Sequence, residues 1–566
     1  FTFDIASQAG SSGTLNIGGF GTNDAAGTIN APKITFGAGT GTINFNQSNA
    51  TTISAVISGN GSVNQLGSGT TILAGTNTYS GMTTVNRGTL VVQGQSSLGT
   101  SSVTVNGGTL EASGVFTEFP LALNAGNMTL TGAESSWNTG TNPLSVGNSS
   151  QGASVVVEGG ASVVSEGLLA LGMNAGASNN SVLVTGTGST WSNSSNLTIG
   201  DAGEGTLTVA NGGSVSANAV IIASQAGSSG TLNFGSLGGS DTAGNFLPPV
   251  ISFGSGSGTI NFNQTDTVAA TGFSGNGSLN QLGSGTTILM GTNTYSGTTT
   301  VNSGTLVVQG QSSLGTSSVT VNGGTLEASG VFTEFPLALN AGNMTLTGAG
   351  SSWNTGTNPL SVGNSSQGAS VVVEGGASVV SEGLLALGMN AGASNNSVLV
   401  TGSNSSWSTA VGNNTWTVLV GDYGSGNTLE VVDGGQVSAP WFYIGNLVGS
   451  SNNSVLVAGS GSTLSNSENL YIGLSGSGNS LVISNGGKVT SFSAWLGLNA
   501  GSSNNSVLVT GSGSSLSNNS IAGTSIGNAG EGTLTVANGG VWGKCIAVAR
   551  PSARTDQIKT NRGCGK

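Results

Sequence analysis

Residues 197–213 read LTIGDAGEGTLTVANGG, and this stretch decides the fold. Within it, the run TLTV at 206–209 alternates polar and apolar residues, so Leu207 and Val209 share one face of a strand. The run NGG at 211–213 predicts a tight corner, because Gly enters left-handed backbone conformations freely and Asn tolerates them better than most residues. The stretch therefore predicts short strands joined by sharp corners, without helices.

Glycine doublets preceded by Asn, Asp or Glu return along the chain at a nearly constant interval. Their first glycines are Gly107, Gly159, Gly212, Gly323, Gly375, Gly434, Gly486 and Gly539. Neighbouring doublets stand 52 or 53 residues apart, except for one interval of 59 and one double step of 111. Such a period is typical of a solenoid in which each unit contacts only its neighbours. We expect an all-β fold, a parallel β-helix with about two coils per 52-residue repeat.

Composition and charge exclude several classes of protein. The chain of 566 residues contains 100 Gly, no His and a net charge of −12. Before residue 543 its cations are Lys33, Arg87 and Lys488, which cannot form the basic patch that nucleic acid requires. No apolar run is long enough for a membrane-spanning helix. Phe1 is neither an initiator Met nor the start of a leader, so the chain has the look of a processed or excised fragment.

The chain also contains a large duplication, which is longer than the 52-residue period. Residues 88–186 recur as 304–402, with Glu134 against Gly350 as the one difference. A scaffold gains from such lengthening, whereas a catalytic centre is usually unique in a chain. We therefore treat residues 1–542 as one repetitive β-helix region.

The last segment, residues 543–566, departs from the repeat. It contains six of the chain's 9 basic residues and both cysteines, Cys545 and Cys564. Either it is a disordered basic tail that binds an acidic surface, or it results from a shifted reading frame or an assembly error. The abrupt loss of the rhythm within a unit favours the second interpretation. Two cysteines without His make a zinc site improbable.

Residues 59–81 read GNGSVNQLGSGTTILAGTNTYSG and are copied at 275–297. These segments, with their continuations at 83–92 and 299–308, resemble the autotransporter-associated β-strand repeat of bacterial type V secretion passengers. The unit at 197–213 looks like a second repeat family of type V secreted proteins. The resemblance implies a right-handed parallel β-helix located outside the cell or on the outer-membrane surface, with a structural or adhesive role. It implies no catalytic residues and no cofactor.

Aromatic residues are the candidates for a binding site. Trp191 and Trp407 occupy a position where corresponding units carry Leu, so we interpret them as core packing. Trp441 and Tyr443 are less repetitive and are the better candidates for a contact patch, although packing is the favoured interpretation there too. Partners of such a patch would be host or environmental glycans, or surface proteins.

Two alternatives remain open at this stage. A carbohydrate-active β-helix enzyme, a hydrolase or lyase, would need clustered carboxylates on adjacent coils. The densest acidic group comprises Glu134, Glu158, Glu166, Asp201 and Glu204. Because these acids are thinly spread, we predict no catalytic residues, no metal site and no enzyme. The other alternative is a surface-filament module that associates end to end through uncapped strand edges.

Overall fold

Short parallel strands form nearly all the regular structure of this chain. The computed structural model describes residues 2–19, 24–246, 250–409, 417–520 and 524–543, together with the strand Lys559–Thr560. Within those ranges the helical segments are two single 3₁₀ turns, Gln95–Ser97 and Gln311–Ser313. No helix among the described residues is long and apolar enough to cross a membrane.

The chain divides into two units. The first comprises Phe1–Val268, Gly272–Gly285 and Thr294–Ser296. Its strands are arranged in stacked parallel sheets. A four-stranded sheet contains Thr2–Ile5, Lys33–Phe36, Val56–Gly59 and Thr78–Tyr79. A six-stranded sheet contains Val115–Phe116, Ser136–Asn138, Ser162–Ser165, Thr190–Asn193, Ser214–Ser216 and Asn245–Phe246.

Two longer sheets complete the first unit. A thirteen-stranded sheet contains Ser12–Ile17, Thr40–Phe45, Gly61–Gln65, Thr83–Val85, Val103–Val105, Leu121–Leu123, Leu144–Val146, Leu169–Leu171, Leu197–Ile199, Val220–Ile222, Ile251–Phe253, Phe273–Gly275 and Thr294–Tyr295. The other contains Thr51–Ile53, Thr70–Leu73, Thr89–Gln93, Thr109–Ser113, Asn127–Thr131, Ser154–Glu158, Asn180–Thr185, Glu204–Ala210, Ser229–Phe234, Ser257–Phe262 and Gly277–Gln281.

The second unit comprises Ala269–Thr271, Thr286–Asn293 and Gly297–Lys566. We call one of its sheets the site sheet; it contains Thr299–Val301, Val319–Val321, Leu337–Leu339, Leu360–Val362, Leu385–Leu387, Thr417–Val420, Trp441–Ile444, Asn469–Ile472, Ser493–Leu496 and Thr524–Ile526. A nine-stranded sheet contains Val331–Phe332, Ser352–Asn354, Ser378–Ser381, Ser406–Thr409, Gln436–Ala439, Thr463–Asn466, Lys488–Ser491, Ser515–Asn518 and Val541–Gly543.

A thirteen-stranded sheet also lies mainly in the second unit. It contains Thr267–Ala270, Thr286–Leu289, Thr305–Gln309, Thr325–Ser329, Asn343–Thr347, Ser370–Glu374, Ser397–Thr401, Thr428–Val432, Ser454–Ala458, Ser480–Ser484, Asn505–Thr510, Gly532–Ala537 and Lys559–Thr560. In each unit, successive passes of the chain add one parallel strand to each of several sheets. This is the architecture of a parallel β-helix, so the predicted fold class is confirmed.

The core of each unit consists of apolar side chains stacked in register from coil to coil. In the first unit, Val155, Val182 and Leu207 are consecutive partners on neighbouring strands, and all three are buried. Residues 155 and 207 lie 52 positions and two coils apart, as the period predicted. Coils vary in length within the unit: Leu15 pairs with Ile43 after 28 residues, whereas Leu90 pairs with Leu110 after only 20.

The predicted corner at 211–213 is also confirmed. Asn211 has φ of 51° and Gly212 has φ of 76°, both in the left-handed region. At the preceding strand, Leu207 and Val209 point inward and are buried, whereas Thr206 and Thr208 point outward. The alternation in the sequence therefore sets which side chains enter the core.

A buried asparagine ladder runs through the second unit. Its members are Asn396, Asn427, Asn453, Asn479 and Asn505, each with essentially no exposed surface. Each Nδ2 of the first four donates to the Oδ1 of the next member at 2.9 to 3.1 Å, and each backbone N–H of those four donates to the same atom. The ladder satisfies amides that would otherwise be orphaned inside the coil.

Each ladder side chain packs beneath a glycine of the neighbouring coil. A Cβ atom at Gly421 would overlap the Asn453 side chain, and one at Gly445 would overlap Asn479. These glycines also have positive φ values, 77° and 74°. Glycine is required here for two reasons: the backbone conformation and the close approach of a buried amide.

The domain boundaries stay a prediction. The predicted tail, residues 543–566, lies outside the described residues except for Gly543 and the strand Lys559–Thr560, and Cys545 and Cys564 fall outside them.

Candidate functional site

Aromatic side chains line the outer surface of three consecutive strands of the site sheet. On Trp441–Ile444, the residues Phe442 and Ile444 point into the core, so Trp441 and Tyr443 point outward. The next two strands place Tyr471 and Trp495 at the same outward position, in register with Tyr443. We call Trp441, Tyr443, Tyr471 and Trp495 the aromatic row.

Three rings of the row are nearly parallel. The centroids of Tyr443 and Tyr471 lie 4.8 Å apart with an interplanar angle of 16°. Trp441 lies 6.4 Å from Tyr471 at 2° and 6.5 Å from Tyr443 at 18°. Centroid distances of this size are typical of offset aromatic contacts. The rings therefore hold one another in place on the surface.

A chain of hydrogen bonds beside the rings links two members of the row. Asn469 Nδ2 donates to Tyr471 Oη at 3.0 Å, and Asn469 Oδ1 accepts a hydrogen bond from Ser493 Oγ at 2.5 Å. Ser493 Oγ in turn accepts from Trp495 Nε1 at 3.0 Å. Asn469 and Ser493 thus couple two rings on neighbouring strands. Burial raises the pKa of Tyr443, and the adjacent Tyr471 phenol adds to the rise, so this phenol stays neutral at physiological pH.

The outward position of the row carries non-aromatic side chains on the preceding strands of the site sheet; Leu419, the partner of Tyr443 on the strand just before, is apolar and buried. Earlier strands of the site sheet place Thr300, Thr320 and Ala338 at the matching outward position. In the first unit, the middle residues of the related triplets at 197–199 and 220–222 are Thr198, which is buried, and Ile221, which is partly buried. The aromatic residues are therefore a local feature of the second unit, since the repeat itself does not require them.

The two pairs of aromatic residues considered in the sequence analysis differ in their burial. Trp191 and Trp407 are 2% and 0% exposed, so their assignment to the core is confirmed. Packing in the core is wrong for Trp441 and Tyr443, because both project outward and are only partly buried. The prediction did not take into account that Tyr443 lies between Phe442 and Ile444, which both point inward.

Sequence analysis missed Tyr471 and Trp495. The signal was present, because both occupy the middle of an apolar triplet followed by glycine, as Tyr443 does. In Leu470-Tyr-Ile-Gly473 and Ala494-Trp-Leu-Gly497 the flanking residues point inward, which leaves the aromatic residue outside. Alignment of these triplets would have predicted Tyr443, Tyr471 and Trp495 at one outward position, and Trp441 lies two residues before Tyr443 on the same face.

The acidic residues considered for catalysis are spread over strands and corners. Glu158 ends the strand Ser154–Glu158, whereas Glu204 begins the strand Glu204–Ala210 two coils later. The register places them six residues apart along the strand direction, about 20 Å. General acid and base groups of glycosidases lie within about 10 Å of each other. This pair therefore cannot act together on one glycosidic bond.

Two segments of the first and second units match a known repeat family. The family model described as passenger-associated-transport-repeat matches residues 63–92 and 279–308. The predicted resemblance to autotransporter passenger repeats is thereby confirmed, together with the extracellular or outer-membrane-surface location that it implies.

The adhesin BmaC autotransporter of Brucella suis biovar 1 (strain 1330) is 50% identical over 91 residues. That match covers 16% of this chain and 3% of the relative. A crystal structure of the TibC-catalysed hyper-glycosylated TibA 55–350 fragment aligns over 75% of this chain and 99% of that one, at 13% identity and a TM-score of 0.27.

Proposed function

We propose that this chain is a surface-displayed passenger that acts as a structural and adhesive scaffold, with the aromatic row as its contact surface. The observation that carries the proposal is the placement of Trp441, Tyr443, Tyr471 and Trp495 on one outer face. Tyr and Trp are enriched among residues that dominate binding energy at protein surfaces. They also lose little conformational entropy on binding, because each has only two side-chain torsions.

A non-enzymatic role is part of this proposal. It is supported by the matched relative being named an adhesin and by the separation of Glu158 from Glu204. The proposed ligands of the row are glycans or surface proteins. End-to-end association through strand edges is an alternative that light scattering across protein concentrations would reveal.

The test is retention of the protein on immobilised glycans and matrix proteins, with product analysis of every glycan. The row variant replaces Trp441, Tyr443, Tyr471 and Trp495 with Thr, the residue at the matching position of Thr300 and Thr320. We expect wild-type protein to be retained without cleavage, and the row variant to bind at least about tenfold more weakly.

The control is Tyr423→Thr, which removes an exposed aromatic residue at a coil corner outside the row and should leave retention unchanged. Equal retention of wild type and row variant would contradict the proposed contact surface. Shortened glycans in the wild-type reaction would contradict the non-enzymatic role.

A further inference from the structure

We propose that the ligand of the aromatic row is an uncharged linear glycan that lies across the coils, with successive sugars along the outer edges of Tyr443, Tyr471 and Trp495. This inference rests on the proposed function, because it names the partner of the same contact surface. It follows from four features of the row: its fixed geometry, its available hydroxyl donors, its lack of positive charge and its spacing.

The row is organised before any ligand binds. Tyr471 and Trp495 are tied together through Asn469 and Ser493, and Tyr443 is held by ring contact with Tyr471. A surface fixed in this way avoids the entropic cost of ordering side chains on binding. Weak ligands such as single sugar chains benefit most from this saving.

The polar groups of the row match hydroxyl-rich ligands. Tyr471 Oη accepts a hydrogen bond from Asn469, so its own O–H remains available as a donor. Tyr443 Oη takes part in no hydrogen bond with the part of the chain that the structure describes. Two neighbouring phenols can therefore exchange hydrogen bonds with sugar hydroxyls, while the outer edges of the stacked rings give the site an apolar surface.

The electrostatic surroundings favour a neutral ligand over an anionic one. None of the three strands that form the row contains Lys or Arg. Glu468 stands at the corner just before Asn469, and the whole chain has a net charge of −12. An anionic polysaccharide would be repelled and would find no charge-assisted partner.

The spacing of the row favours a chain that crosses the strands. Tyr443, Tyr471 and Trp495 stand on consecutive coils at paired positions, so the row advances by one strand spacing per ring, about 4.8 Å. A pyranose unit in an extended glycan advances by a comparable length. Successive sugars can thus meet successive aromatic side chains, whereas a chain laid along one strand would meet only Trp441 and Tyr443.

The test is titration of the full chain with soluble hexasaccharides, followed by calorimetry and tryptophan fluorescence. Neutral probes are cellohexaose, chitohexaose and maltohexaose; anionic probes are hyaluronan and alginate oligomers of equal length. We expect at least one neutral probe to bind, with an affinity that changes less than about twofold between about 50 and 500 mM salt. No anionic probe should bind more tightly than the neutral ones.

Single substitutions separate the parts of the site. Tyr443→Phe keeps the ring and removes the unused hydroxyl, and we expect affinity to fall about threefold to tenfold. Asn469→Ala releases Tyr471 and Trp495 and should have an effect of similar size. Tyr423→Phe is the matched control, since it removes an exposed phenol outside the row, and it should leave affinity unchanged.

The possible failures are distinguishable. If no neutral hexasaccharide binds but protein surfaces retain the chain in a row-dependent manner, the glycan inference is overturned and the proposed function stands. Binding that is strongest for the anionic probes would also overturn it. If every surface retains the row variant as well as it retains wild-type protein, the proposed function itself fails.

Discussion

Replacing Asn453 with Ala lowers the free energy of unfolding of the second unit by about 4 kcal/mol. The side chain has essentially no exposed surface and stands in the middle of the asparagine ladder. Its Oδ1 accepts from the backbone N–H and the Nδ2 of Asn427, both at 2.9 Å. Its Nδ2 donates to Asn479 Oδ1 at 3.0 Å and to the Gly424 carbonyl at 3.2 Å. Alanine leaves the Asn427 backbone N–H and the Gly424 carbonyl buried without this partner, at about 1 to 3 kcal/mol each before relaxation. Asn479 Oδ1 keeps the hydrogen bond from the Asn453 backbone N–H.

The matched control is Asn322→Ala, which interrupts an exposed ladder in the same unit. Asn322 donates to Asn302 and accepts from Asn340, both at 2.9 Å, but it is open to solvent. Water replaces its lost partners, so the expected cost is below about 1 kcal/mol. Denaturant unfolding, with hydrogen exchange to assign the loss to the second unit, measures both variants. Equal losses would mean that burial of the ladder contributes nothing.

Replacing Trp353 with Leu lowers the free energy of unfolding by about 3 kcal/mol, whereas the same change at Trp407 lowers it by about 1 kcal/mol or less. Both indoles are fully buried and lie in one row of the nine-stranded sheet, separated by Val379. Trp353 Nε1 donates to the Phe335 carbonyl at 2.9 Å, and its ring stacks on Phe332 at 4.1 Å. Leucine removes the stack and leaves that carbonyl without its donor.

Trp407 differs because its buried Nε1 has no hydrogen-bond partner among the described residues. Further along the same row, the equivalent inward positions are filled by Leu464 and Leu516. Leucine at 407 creates a modest cavity but removes an unsatisfied donor, and these effects oppose each other. Thermal unfolding of the two variants provides the comparison. A larger loss for Trp407→Leu than for Trp353→Leu would contradict this explanation.

The sequence predicted the strands and their inward faces because both depend on local alternation. Leu207 and Val209 were placed in the core from a two-residue period alone, and the corner at Asn211 followed from its glycines. These features need no knowledge of what the neighbouring coils contribute. The burial of Trp191 and Trp407 was predictable for a related reason, since leucine occupies the same position in other units.

What the sequence could not predict depends on how coils stack. The asparagine ladder is encoded by polar residues at corners, and only alignment of successive coils shows that Asn453 is buried between two equivalents. The sequence of a single repeat also does not show to which sheet each of its strands belongs. Residues 5–16 are identical to 222–233, yet Ser12–Ile17 and Ser229–Phe234 belong to different sheets of the first unit. Identical sequence therefore does not guarantee an identical face.

The most direct measurement is hydroxyl-radical footprinting of the full chain, free and bound to a surface that retains it. Bound protein should show reduced oxidation at Trp441, Tyr443, Tyr471 and Trp495, with Tyr423 unchanged as the internal reference. Exposed aromatic side chains react readily, so the free protein provides a strong signal at these positions. Protection confined to other faces of the second unit, or to the first unit, would show that the aromatic row is not the contact surface.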